Sequence, residues 1–218
     1  GRGNMNFATP EQRAPRYAED GKPGQEIEVE LELKLLADVG IIGFPNAGKS
    51  TFISVVSAAK PKIADYPFTT LTPNLGVIKD GHGGSFVIAD MPGLIENAHA
   101  GAGLGQQFLR HIERTSLLLH FIDASSEESM IERYKTIRNE LSLYAESLKD
   151  KKEIVAATKM DACNDDVFFE FEKFAEENNI TLFRISSLTR SGTKELIEYV
   201  SDMVKAHRKD YEETQSDT

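Results

Sequence analysis

The 218-residue chain contains a single cysteine, Cys163. One thiol excludes an internal disulfide and favours a reducing compartment, so a cytoplasmic location is expected. Long apolar runs are also missing. The longest, such as Leu117 to Ile122, are strand length, well short of the ~18 residues of a membrane-crossing helix, and no integral membrane contact is expected. Basic charge is scarce: 25 Lys and Arg face 35 Asp and Glu, for a formal net charge of −10. A non-specific nucleic-acid clamp needs a basic surface to displace counterions, which excludes that class for this segment but leaves local contacts open. The start is polar and does not read as a signal peptide. Gly1-Arg2-Gly3 has no initiator Met, which raises the expectation of a piece of a longer chain. The five histidines, His82, His99, His111, His120 and His207, lack ligand spacing, so neither a zinc site nor a catalytic histidine is read from them.

What is present is a foldable pattern. Hydrophobic residues make up 40% of the chain and charged residues 28%, the balance of a globular protein with a real core. Residues 1 to about 24 are rich in Gly, Pro, Asn and Arg and read as loop or as the tail of something else. From Ile27 to Leu35 apolar and charged residues alternate, the mark of a half-buried strand. Short apolar runs follow at Val39 to Ile42, Phe86 to Ala89, Leu117 to Ile122, Ile154 to Ala157 and Leu182 to Ile185. Between them lie amphipathic segments of helical length at about 49–58, 105–115, 127–149, 165–178 and 192–208. Strands alternating with helices predict parallel βαβ units with helices on both faces. The turn cluster Asp80-Gly81-His82-Gly83-Gly84 predicts one antiparallel hairpin, Leu75 to Lys79 against Ser85 to Ala89. About six strands and five helices are expected, with a polar tail at 209–218.

Gly43-Phe44-Pro45-Asn46-Ala47-Gly48-Lys49-Ser50 fits G-x-x-x-x-G-K-[ST], between a predicted strand and a predicted helix. The glycines let the backbone turn its N–H groups inward, and the helix N-terminus adds partial positive charge, so the loop suits a nucleotide's phosphates. Lys49 is expected to reach the β and γ phosphates, and the Ser50 hydroxyl to ligate Mg²⁺, with Thr51 following it into the helix. The fold class is therefore α/β, a three-layer P-loop NTPase.

Further candidates stand at strand ends. Asp90-Met91-Pro92-Gly93 places Asp90 to hold Mg²⁺ through a water and Gly93 to offer its N–H to the γ-phosphate. In Thr158-Lys159-Met160-Asp161 the Asp161 carboxylate can accept from guanine N1–H and N2–H₂. Adenine offers neither donor, and an unpaired polar group in the pocket gives discrimination on the order of 10⁴ or more. The Lys159 stem can pack along the base. Backbone N–H groups of Ser186-Ser187-Leu188 can meet the guanine O6, and a threonine of Tyr66-Pro67-Phe68-Thr69-Thr70 can complete the Mg²⁺ shell. GTP and GDP are the expected ligands. A P-loop enzyme using ATP, such as a kinase, would instead bind ATP more tightly than GTP.

The order of these motifs is that of the translation-factor class of GTPases. Closer still, Leu31-Glu32-Leu33-Lys34-Leu35-Leu36-Ala37-Asp38-Val39-Gly40 running into the phosphate loop resembles the Obg (CgtA) family. So do Tyr66 to Gly76, Asp90-Met91-Pro92-Gly93-Leu94-Ile95-Glu96 and Gly101-Ala102-Gly103-Leu104-Gly105, and the likeness covers about residues 1–205. The resemblance implies a G domain at 36–208 preceded at 1–35 by the end of the family's Gly-rich N-terminal domain. It implies a monomer that hydrolyses GTP slowly and acts in assembly of the large ribosomal subunit and in stress signalling. It assigns Thr70 to Mg²⁺, with Lys49, Thr70 and Gly93 as the catalytic groups and Phe68 beside the nucleotide. Switch loops are implied at 60–76 and 91–104. In many GTPases a Gln follows D-x-x-G; here it is Leu94, which cannot orient a water, so turnover of roughly 10⁻⁴ to 10⁻² s⁻¹ is expected. Relatives with an apolar residue there often use a monovalent cation, which would make Asn46 a K⁺ ligand; otherwise Asn46 only tolerates a turn. Thr158 departs from the usual N-K-x-D and should weaken contact to the base or the phosphate loop. Asn97 replaces a glycine common in the second switch. An alternative function is a nucleotide-dependent binding module whose hydrolysis is only a reset.

Overall fold

A computed structural model describes residues 1–28, 37–58, 62–63, 74–79, 84–91, 112–113, 115–144, 148 and 151–216. The chain divides into two compact units, Gly1–Leu33 and Lys34–Thr218. The first unit is mostly irregular, as its composition predicts, with one turn of 3₁₀ helix at Asn4–Phe7. Its two strands of backbone are tied where Glu19 N–H donates to the Arg2 carbonyl (2.9 Å). The Asn4 side-chain amide donates to the Pro15 carbonyl, and Phe7 packs on Tyr17. The strand expected from Ile27 to Leu35 lies almost entirely outside the described residues.

The second unit is built on a sheet whose described strands are β1 (Val39–Gly43), β2 (Lys62–Ile63), β3 (Asn74–Lys79), β4 (Ser85–Asp90), β5 (Leu117–Asp123), β6 (Glu153–Thr158) and β7 (Leu182–Arg184). Their spatial order is β2-β3-β4-β1-β5-β6-β7. From β4 to β7 all neighbours are parallel. The predicted hairpin is present, with Val77 opposite Val87 and Lys79 opposite Ser85. The sheet gains one strand over the six expected: β2 pairs antiparallel with β3 through only two residues, too few to leave a period in the sequence.

The central strands are buried on both faces, and this is why they read as continuous apolar runs. Alternate side chains go to opposite layers. Val39, Ile41, Leu117, Leu119, Phe121, Ile154 and Ala156 share one core with Phe52 and Ile53 of helix α1 (Lys49–Val56) and with Leu196, Val200 and Val204 of helix α4 (Thr193–Ser216). Ile42, Leu118 and Ile122, with Val155 and Ala157, face helix α2 (Met130–Tyr144) and helix α3 (Asp165–Glu177), whose Ile137, Leu141, Phe168 and Phe171 cover them. Each of these large side chains contributes about 1.5–3 kcal/mol on burial, and together they fix the three-layer α/β/α sandwich.

Two helices differ from the spacing-based expectation. That predicted over 192–208 continues to Ser216, through most of the expected polar tail, because no Gly or Pro interrupts it. Arg208 also pins it: its guanidinium donates to Oδ1 of buried Asp38 (2.8 and 3.2 Å) and to the Ser85 carbonyl. Of the helix predicted over 105–115, residues 112, 113 and 115 are described: 112–113 are helical and Thr115 is not. His120 is a core residue: its Nδ1 lies 2.8 Å from Glu153 Oε1 and its ring stacks on Tyr134. Burial, reinforced by the Glu153 charge, pushes the Tyr134 hydroxyl up to about 12. Among the described residues no helix is long and apolar enough to cross a membrane.

Candidate functional site

The parallel strands end on one edge of the sheet: β4 at Asp90, β1 at Gly43, β5 at Asp123, β6 at Thr158 and β7 at Arg184. Open α/β sheets bind ligands outside these carboxyl ends. The pairing register places Ile41 beside Asp90, Gly43 beside Phe121 and Asp123 beside Thr158. Residues 35 to 78 positions apart in sequence therefore lie side by side.

The loop after β1 needs its unusual residues. Gly43 has φ 149°, and a Cβ there would lie 2.5 Å from the Phe121 carbonyl oxygen. Gly48 (φ 87°) and Asn46 (φ 62°) adopt the left-handed region that Gly and Asn tolerate best. Helix α1 begins at Lys49 with Gly48 as its N-cap, so no side chain caps its first-turn N–H groups. Lys49 Nζ curls back and donates to the Gly43 and Phe44 carbonyls (3.0 Å each). Pro45 and Asn46 are exposed at the loop tip, Ala47 is buried beneath it, and Thr51 lies on the solvent side of α1. Ser50 Oγ donates to Asp90 Oδ2 (2.6 Å), and the buried Asp90 Oδ1 has no hydrogen-bond partner among the described residues. A hydroxyl and a carboxylate, both hard oxygens, one of them with an unused lone pair, fit the donor preference of Mg²⁺.

The second half of the site is built from the ends of β6 and β7. Thr158 is 2% exposed, and its hydroxyl donates to the Ala47 carbonyl (2.9 Å) and, at 3.3 Å, to that of Ile122. Thr158 thus retains a direct bond to the phosphate loop. Lys159 sits in a left-handed turn (φ 57°) with its ammonium on Asp123 Oδ2 (2.6 Å). Asp161 accepts from the buried Ser186 hydroxyl (2.5 Å), while Met160 N–H donates to the Ile185 carbonyl and so laces the two loops together. Ser187 is half-buried, and Leu188 is 82% exposed. The neighbouring Cys163 thiol is pushed up by burial and by Asp165 against the pull of Arg184, which suits a structural role.

Phe68, Thr70 and Gly93 lie outside the described residues, as do Leu94 and Asn97. Sequence reasoning missed Asp123 and Ser125. Burial raises the Asp123 carboxyl, but hydrogen bonds from Lys159 and Ser125 outweigh this and hold it below the usual range. Only the position of Asp123 at the end of an apolar run could have drawn attention to it.

A phosphate-type loop at a helix mouth, a Ser–Asp pair beside it, and an Asp–Ser pair at the far side of one sheet edge define a G domain of the P-loop GTPase class. Residues 38–159 match the family described as 50S ribosome-binding GTPase, and residues 1–35 match GTP1/OBG. GTPase Obg of Thermodesulfovibrio yellowstonii is 57% identical over 207 residues, covering 94% of this chain and 61% of that protein. GTPase Obg of Oceanobacillus iheyensis is 52% identical over 219 residues, covering 98% of this chain and 51% of its own length. The chain belongs to the Obg family of GTPases, and spans between half and two-thirds of the length of these curated relatives. Among solved structures, the G domain of the T. maritima FeoB iron transporter superimposes with a TM-score of 0.55 at 20% identity, over 76% of this chain and 96% of that one. An Era variant from Aquifex aeolicus bound to GDP·AlF4⁻ gives 0.55 at 23% identity, over 79% and 57%. At these identities the likeness concerns the fold.

Proposed function

We propose that this domain binds GTP and GDP with Mg²⁺, hydrolyses GTP slowly, and serves as a nucleotide-state switch in assembly of the large ribosomal subunit in the cytoplasm. The carrying observation is the Thr158–Ala47 hydrogen bond, which joins a phosphate-type loop to a base-reading loop at one sheet edge. Lys49 and the first-turn N–H groups of α1 would hold the phosphates. Ser50 would ligate Mg²⁺ directly and Asp90 through a water. The ion would neutralise charge developing on the phosphate oxygens. Asp161, steadied by Ser186, would accept from guanine N1–H and N2–H₂. Thr70 and Gly93 are read as the groups that sense the γ-phosphate, and Phe68, Ser187 and Leu188 as flanking contacts. Asn46 at the exposed loop tip is read as a K⁺ ligand. Water attacks the γ-phosphate in line, and loss of that phosphate releases the switch loops at 60–76 and 91–104. The 50S ribosome-binding family match supports the ribosomal partner. The GTP1/OBG match supports reading 1–35 as the end of an Obg-type domain ahead of a G domain at 36–208.

Titration of GDP, GTP and ATP against the wild type and Asp161→Ala tests the base reading. The substitution is expected to abolish the preference for guanine nucleotides; retention of that preference refutes the assignment. Leu94 favours a second reading, a binding module for which hydrolysis is only a reset. Single-turnover hydrolysis with and without large ribosomal subunits and K⁺ separates the two: strong acceleration supports the switch enzyme, and a flat rate supports the module.

A further inference from the structure

Lys159 is held from outside its own loop. It follows the last residue of β6, yet its ammonium reaches sideways to the end of β5 and binds Asp123 Oδ2 at 2.6 Å. Asp123 is prepared for that contact. Its other oxygen, Oδ1, accepts from both the backbone N–H (2.9 Å) and the hydroxyl (2.6 Å) of Ser125. The turn carrying these groups is itself fixed on two sides, since Ala124 N–H donates to the Thr158 carbonyl and Asn164 N–H donates to the Ala124 carbonyl. Three donors therefore converge on one carboxylate whose side chain is 12% exposed, and they keep it ionised. Ion pairs at a surface are usually loose because two flexible side chains must be ordered. Here one partner is already immobile, so the entropic cost falls on Lys159 alone.

We propose that Asp123, braced by Ser125, is a positioning residue for base recognition: it draws the Lys159 stem across the gap between β6 and β5 and fixes it as a wall for one face of the guanine ring. The proposal rests on the guanine-nucleotide reading of the site. It divides recognition between two carboxylates. Asp161 reads the hydrogen-bonding edge of the base, and Asp123, through Lys159, sets the surface against which any purine ring lies. Lys159 occupies a left-handed backbone conformation, and its side chain is 40% exposed. Without its anchor the long stem would sample other rotamers and the wall would be lost.

The two roles separate with three probes: GDP, inosine diphosphate, which lacks the 2-amino group that Asp161 reads, and inorganic pyrophosphate, which lacks a base. Asp123→Asn is expected to weaken GDP and inosine diphosphate by the same factor, about 5- to 20-fold, and to leave pyrophosphate affinity unchanged. A merely structural effect would weaken pyrophosphate as well. In a Lys159→Met background, Asp123→Asn should add less than twofold. If Asp123→Asn does not yield folded protein, Ser125→Ala, which removes one brace and keeps the carboxylate, should weaken both nucleoside diphosphates in the same proportion. The proposal is overturned if GDP affinity stays within twofold of wild type, if the ratio of GDP to inosine diphosphate changes, or if the loss persists undiminished with Lys159→Met. Asp161→Asn measured alongside tells the two levels apart. Should it leave that ratio intact, the base reading itself falls; should it change the ratio while Asp123→Asn does nothing, only the positioning role falls.

Discussion

The single bond that most directly joins the two halves of the site is the one from Thr158 Oγ1 to the Ala47 carbonyl, and Thr158→Val removes it with almost no change of shape. Both residues are buried, Thr158 at 2% and Ala47 at 1% exposure, so water cannot replace the lost donor. A buried carbonyl left without its partner costs about 1–3 kcal/mol. At roughly 2–4 °C per kcal/mol for a domain of this size, Tm should fall by roughly 3–10 °C. Thr158→Ser is the control. It keeps the hydroxyl and loses one methyl group, about 0.8 kcal/mol of burial. Because Ala47 precedes the helix mouth, the same substitution should loosen the phosphate loop and speed release of a fluorescent GDP analogue about tenfold, the equivalent of 1.4 kcal/mol. Thermal melting and stopped-flow displacement give the two readouts. If the Val and Ser variants melt together and release nucleotide at the same rate, the bond does not join the two loops in the way argued.

Lys151 offers a pH test. Its ammonium donates to the Ile112 and Glu113 carbonyls, and burial lowers it from 10.5 to about 8 despite the nearby Glu113. The native state thus binds fewer protons than the unfolded chain between those values. Stability should rise with pH across that window by about 1–2 kcal/mol after solvent screening, and the gain should vanish as pH falls through 8. Lys151→Met should flatten this part of a denaturant-midpoint profile. Gly43→Ala places a methyl group against the Phe121 carbonyl at a positive φ; a loss of at least 2 kcal/mol in chemical denaturation and of nucleotide binding by calorimetry is expected, on the order of combined strain and clash. Among the described residues, Arg208→Ala leaves the buried Asp38 carboxylate with its Val87 N–H bond alone. A cost of about 2 kcal/mol is expected, between the values for surface and buried pairs, and adding Asp38→Asn should recover part of it in the same melting assay.

The parallel strands were legible because burial on both faces writes an unbroken apolar run, as in Leu117 to Ile122, which the structure extends only to Asp123. The phosphate loop was legible because its glycines answer a backbone demand: Gly43 and Gly48 both have positive φ. What could not be read were contacts set by strand order. Asp123 meets Lys159 only because β5 and β6 are neighbours, and Asp123-Ala124-Ser125 in isolation reads as an ordinary turn. Lys151 stands in a charged stretch that resembles solvated surface, and nothing local says that its ammonium closes the end of a helical segment. The length of α4 was underestimated for the opposite reason. Polarity marked 209–218 as tail, whereas helix propensity and the Arg208 anchor carry the helix on to Ser216.

The Asp38–Arg208 pair lies at the root of β1, at the opposite end of that strand from the phosphate loop. A tug on the last turns of α4 therefore enters the sheet at two neighbouring points, Asp38 just ahead of β1 and Ser85 at the start of β4. From Asp38 it runs along five residues of β1, about 17 Å of extended backbone held by ladders on both sides. Such a strand transmits tension with little give, so the mechanical short cut from the far end of the helix to Gly43 passes through the middle of the sheet and not around its rim.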